Sequence, residues 1–146
     1  MGLLSTLSGI FKPRVEPEQE RFNPERFIYV KLPGNIQPIQ RGEQFEDQIE
    51  PVLAERGLGT VSGGGSSLDD PLPDGRRLVA FCGIDIDTES RDVALEVLRE
   101  LLPKLGAPHG TELHYTRAAT KLQDEYSSSG WSIEQPRKFL HPGFGV

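Results

Sequence analysis

The chain has 146 residues, a net charge of −6 and a mean hydropathy of −0.42, enough length for one domain with a substantial core. The acidic balance, with a pI near 5.1, argues against a sequence-independent nucleic-acid binder, which needs a basic surface. The single cysteine, Cys82, cannot form an internal disulfide, and no apolar run reaches the ~18 residues that span a bilayer, so a cytoplasmic protein is expected.

The opening MGLLSTLSGIFK lacks a basic n-region and a small-residue cleavage site, so it does not read as a secretory signal. Gly2 and Thr6 match the loose N-myristoylation pattern, and the plainer reading is a short amphipathic or frayed N-terminus. Residues 12–25, KPRVEPEQERFNPE, hold three prolines and little apolar content. Together 1–25 read as an arm or linker.

RFIYVKL, 26–32, alternates as a two-faced strand, with Ile28, Val30 and Leu32 opposite Phe27, Tyr29 and Lys31. From Glu43 to Arg56, Phe45, Ile49, Val52 and Leu53 recur at helical spacing. Pro51 predicts a kink or early break there, and Gly57 the C-terminal cap. Thr60–Leu68 reads as a weak strand holding the run GGGSS, and DDPLPDG as turn chemistry. RRLVAFCGIDID, 76–87, reads as a strand with one fully apolar face, Leu78, Ala80, Cys82, Ile84 and Ile86. A helix over about 90–105 carries a broad apolar stripe between a cap at Asp87, Thr88 or Ser90 and Gly106. TELHYTR, 111–117, alternates again. Arg117–Tyr126 reads as a short helix, and the rest of 118–146, with Trp131, Phe139, Leu140 and Phe144, as a wrapping tail.

The order strand, helix, strand, strand, helix, strand predicts a ferredoxin-like α+β domain over 26–117, a four-stranded antiparallel sheet with two helices on one face. An irregular arm precedes it and an irregular tail follows. The opposite, open face then carries Phe27, Tyr29, Lys31, Val79, Phe81, Asp85 and His114. Either the tail or a protein partner covers it.

GGGSS is not a phosphate loop. It lies between two strands, no lysine follows it, and Asp69 and Asp70 repel phosphate. It reads as a bulge, a flexible hairpin arm, or an edge that accepts another chain, including a second copy. Asp85 and Asp87 point the same way, so with Glu89, Asp69 or Asp70 they offer oxygens to a divalent metal, and Asp85 with His114 offers a general base. The structural alternative makes Asp87 a helix cap and Asp85 a solvated surface group. No nucleophile motif and no zinc spacing occurs, and Cys82 reads as an inert core residue, so neither cofactor nor metal is expected. The aromatics of the open face are similar to an RNA-recognition sheet, yet RRLVAFCG supplies only Arg76, Arg77 and Phe81 of its third-strand motif. Acylphosphatases share the element order, but PGNIQPIQRG lacks the pattern of their phosphate loop.

The phrases GTVSGGGSSL, FCGIDIDTES and KLGAPHGTELHY resemble small, uncharacterised bacterial ferredoxin-like proteins, some of them immunity proteins that neutralise a toxin domain. That resemblance implies a non-enzymatic, protein-binding role. The expected site comprises the acids Asp69, Asp70, Asp74, Asp85, Asp87 and Glu89, facing a basic cleft of the toxin, with Tyr29, Phe81 and Trp131 as anchors. The alternatives are a small enzyme or metal-binding domain using Asp85, Asp87 and His114, and a structural module that dimerises through the glycine-rich edge.

Overall fold

A computed structural model describes residues 22–139 and 141. The readings at Gly2 and Thr6, most of the arm 1–25, and the tail residues Leu140 and Phe144 lie outside the described residues.

The strands are β1 (Phe27–Pro33), β2 (Gly59–Leu68), β3 (Val79–Thr88), β4 (Glu112–Arg117), β5 (Thr120–Ser127) and β6 (Gly130–Pro136). They form one six-stranded sheet in the order β2-β3-β1-β4-β5-β6, with every neighbouring pair antiparallel. The helical segments are α1 (Pro38–Arg41), a π-helical turn (Gly42–Glu46), α2 (Asp47–Glu55) and α3 (Arg91–Lys104), the one long helix. The expected four-stranded ferredoxin-like sandwich with an irregular tail is therefore wrong. Residues 120–136 are two further strands, and Arg117–Tyr126 is not a helix.

The core lies between the sheet and the helices. Ile28, Val30 and Leu32 of β1, Cys82, Ile84 and Ile86 of β3, and Leu113 and Tyr115 of β4 pack against Phe45, Ile49 and Leu53 and against Ala94, Leu95, Leu98 and Leu102. Leu78, expected on this face, is 43% exposed. Val79, expected on the open face, is buried in the core instead. A register shift between Ser67 and Leu68 breaks the alternation there, and Asn35 Oδ1 accepts the Val79 N–H at 2.8 Å. Pro51 does not end its helix: α2 continues through it to Glu55, directly after the π-turn.

Asp124 fastens the two added strands to the rest. It is fully buried on the helix side of β5. Its carboxylate accepts from Tyr115 Oη at 2.7 Å, Arg99 Nε at 2.8 Å and the Glu134 N–H at 2.9 Å. Trp131 Nε1 donates to the Arg99 carbonyl at 2.8 Å, tying β6 to α3. At the β4–β5 turn, Ala118 and Ala119 both take the left-handed conformation, at φ 51° and 65°. Their N–H groups donate to the Glu25 carboxylate at 3.0 and 2.8 Å, and Arg91 holds that carboxylate from the other side at 3.2 Å.

Candidate functional site: the open face and its glycine edge

Strand register sets the open face in rows. Gly63, Asp85, Tyr29, His114 and Gln123 form one row across β2, β3, β1, β4 and β5. Gly65, Gly83, Lys31, Glu112 and Glu125 form the next, and Ser67, Phe81 and Pro33 a third. The chain after β6 turns back over these rows. Phe139 sits edge-on to Phe81 with ring centroids 5.7 Å apart, and His141 edge-on to Tyr29 at 4.3 Å. The end of the described chain thus covers part of the face.

The glycines have individual reasons. A side chain at Gly83 would overlap the Tyr29 ring, which lies across this position. A Cβ at Gly64 would stand 2.6 Å from Glu46 Oε2, because the Arg41–Glu46 ion pair fills the helix side beneath it. A Cβ at Gly63 would stand 3.1 Å from Asp85 Oδ2, whereas Gly65 has open space above it. The open face beside β2 is therefore a bare strip next to a carboxylate. A cleft of about 530 Å³ occupies this place, lined by Gly64–Ser67, Phe81 and Asp85, with Tyr29, Phe139 and His141 closing it.

Electrostatics divide the face. Burial raises the Asp85 carboxyl above its ordinary range, and the charges of Asp87 and Glu46 add to this. Among the described residues no cation pairs with the Asp85 carboxylate. Burial, with the Asp85 charge, pushes the Tyr29 hydroxyl up to about 12. Toward β4, His114 Nε2 lies 2.7 Å from Glu112 Oε1, and His114 Nδ1 lies 2.9 Å from His141 Nε2. The hydrogen bond to His114 holds Glu112 below the ordinary carboxylate range, so Glu112 accepts. With both rings neutral, His114 carries its proton on Nε2 and accepts from His141 Nε2–H. Burial lowers both imidazoles, His141 to about 4. Arg137 is buried beside them, with contacts to Thr116 Oγ1 at 3.3 Å and the Tyr115 carbonyl at 3.5 Å.

The sequence-predicted residues do not converge on one patch. Asp69, Asp70 and Asp74 are exposed in the β2–β3 connection, where Asp74 pairs with Arg76 at 2.6 Å. Asp87 and Glu89 sit at the far end of β3, and Glu89 pairs with Arg26 at 2.7 Å. The two groups are about 26 Å apart at the rise of an extended strand. Tyr29 and Phe81 lie under His141 and Phe139, and Trp131 is packed against the core by its indole. Asp85 and His114 share a row, but Tyr29 stands between them. The sequence reading named Phe139 only within the tail that was one of its two candidate covers, and it missed His141 and Glu112 as part of this face. The i, i+2 spacing of Glu112 and His114 on one strand was the available signal. Among the described residues no group of three or more His, Cys, Asp or Glu side chains is arranged to hold a metal ion, and no helix is long and apolar enough to cross a membrane. No protein-family model, curated protein or solved structure matches this chain.

Proposed function

We propose that the protein is a non-enzymatic binding module whose docking element is the β2 edge, a partner segment adding to the sheet as a seventh strand. The observation that carries this is β2 itself: ten residues, GTVSGGGSSL, at the sheet's rim without a charge or a proline. Natural sheets blunt long rims with charges, prolines or covering elements, and a rim without them is a template for strand addition. Among the described residues no strand pairs with β2 on its outer side. From the helix side, Glu50 Oε1 accepts the Val61 N–H at 2.6 Å and Arg41 Nη1 donates to Ser66 Oγ at 3.1 Å, and among the described residues Val61 is the one rim backbone group with a helix-side partner. This reading keeps the protein partner expected from the sequence and moves its site from the acidic connection to the rim. Where that partner is a toxin domain, as the sequence resemblance implies, a strand docked here brings the acids of the β2–β3 connection alongside it.

The enzyme reading has one favourable observation, the Glu112–His114–His141 chain, which leaves one nitrogen of His141 free to accept a proton. Among the described residues no hydroxyl or thiol hydrogen-bonds to His141, so this base has no nucleophile to activate.

The test is capture of partners from the native cell by the full chain and by Gly65→Lys. Gly65 has room for a side chain, so the variant keeps its melting temperature. Loss of a stoichiometric partner in Gly65→Lys is the expected result. A partner captured equally by both chains overturns the rim as the site. Light scattering on the free protein identifies the case in which that partner is a second copy of the chain.

A further inference from the structure

We infer that the cleft beside β2 is a subsite for a cationic side chain, lysine or arginine, presented by the docked strand. This rests on the strand-docking reading and adds the chemistry of its occupant.

Three observations meet at the cleft. The Asp85 carboxylate is half-buried and lacks a cationic partner among the described residues, although Glu46 and Asp87 are close enough to raise its pKa further. Such a carboxylate has no counter-charge on its open side, and a cation placed there offsets both its desolvation and its repulsion. Second, the cleft wall is aromatic, with Tyr29, Phe81 and Phe139 lining it. Phe81 and Phe139 already hold a cation, with Lys31 Nζ 4.4 Å from the Phe81 centroid and 5.6 Å from that of Phe139, so an incoming cation takes the Tyr29 and Asp85 side of the cleft. Aromatic faces with a nearby carboxylate recognise ammonium and guanidinium groups. Third, the path to Asp85 is clear. A strand paired outside β2 lies two strand spacings, about 9.6 Å, from β3. Any ordinary residue at positions 63 and 65 would fill the open face between them, but both are glycine. A lysine or arginine stem can therefore lie across the bare strip and bring its head to Asp85. The net charge of −6 favours the encounter of such a segment.

The test uses the full chain and three acetylated, amidated heptapeptides, Thr-Val-Thr-X-Thr-Val-Thr, with X lysine, norleucine or glutamate. Binding is followed by the amide NMR shifts of β2, in the wild type and in Asp85→Asn. Removing the charge of Asp85 relieves repulsion, so the variant stays folded, which its melting temperature verifies. The lysine peptide should shift the β2 amides and bind about ten-fold tighter than the norleucine peptide, the glutamate peptide weakest, and the lysine advantage should vanish in Asp85→Asn. Equal binding of the lysine and norleucine peptides on β2 leaves strand docking standing and overturns the cationic subsite. A lysine advantage that survives in Asp85→Asn overturns the subsite in the same way. Shifts at β2 from none of the peptides overturn docking and subsite together.

Discussion

Two pairs of small residues carry opposite kinds of constraint. Gly83 is required because the Tyr29 ring occupies the place of its side chain, whereas Gly65 has open space above it. Gly83→Ala should cost about 1–3 kcal/mol by overpacking, and Gly65→Ala should stay within about 1 kcal/mol of the wild type, both read by chemical denaturation. Comparable losses at both sites would show that strand geometry, not the Tyr29 contact, sets the requirement. Ala118 and Ala119 are the reverse case, residues with side chains in a backbone conformation that suits glycine or asparagine. The Glu25 carboxylate offsets that strain by accepting both N–H groups. Ala119→Gly should stabilise the protein by about 0.5–1 kcal/mol, and Glu25→Ala should destabilise it by about 1 kcal/mol. The Ala119 and Ala118 N–H groups, with Arg91 beside them, hold the Glu25 carboxyl below the ordinary range, so its contribution is present above the unfolded-state value and is lost as pH falls through the lowered one.

Among the elements, the β5–β6 hairpin depends on one carboxylate. Asp124→Ala leaves the Tyr115 hydroxyl, the Arg99 guanidinium and the Glu134 N–H without their shared acceptor. A loss of about 3–5 kcal/mol is expected, with hydrogen exchange rising first in β6. Uniform exchange across the sheet would mean that Asp124 does not hold β6 separately. This carboxylate also explains why the two strands were hidden in the sequence. In TKLQDEYS the core-side position between Leu122 and Tyr126 is an aspartate, so the apolar alternation that marks β1, β3 and β4 is absent. GWSIEQP contains a register irregularity, with Glu134 at φ 57°, and the turn before β5 is Ala-Ala rather than a glycine-bearing pair. Where alternation or helical spacing was intact, at Ile28–Leu32, Ala80–Ile86 and Val93–Leu105, elements were legible within a few residues. The open face was legible as a set of residues apart from Val79, and the tail was one of two covers the sequence allowed, but which of its residues seat on the face was not legible, because Phe139 and His141 lie in a segment without periodicity. That cover has a pH signature. Glu112, Lys31, Arg137 and Tyr29 surround the two imidazoles, and burial keeps both below the ordinary histidine value. The unfolded chain therefore takes up protons first as pH drops below about 6.5, and stability falls from there through about 4. The melting temperature should decline across that window in the wild type and more gently in His141→Phe, and parallel curves would overturn the assignment to this pair.

For the whole molecule, the sheet's two rims differ. The β6 rim belongs to a short, irregular strand tied to α3 through Trp131, while the β2 rim is long and uncharged, which makes the molecule one-sided as a partner for another strand. The same strand order has a consequence for how the chain is made. β1 lies in the middle of the sheet, between β3 and β4, yet it precedes both in the chain. As the polypeptide leaves the ribosome, Phe27–Pro33 has neither neighbour until β3 emerges, and only one until α3 and β4 follow. Glu25 reaches its turn across 93 residues of chain. A nascent chain of this protein therefore carries an apolar, two-faced strand unpaired until β3 has emerged, and its folding waits for distant partners, the circumstance in which holding chaperones bind.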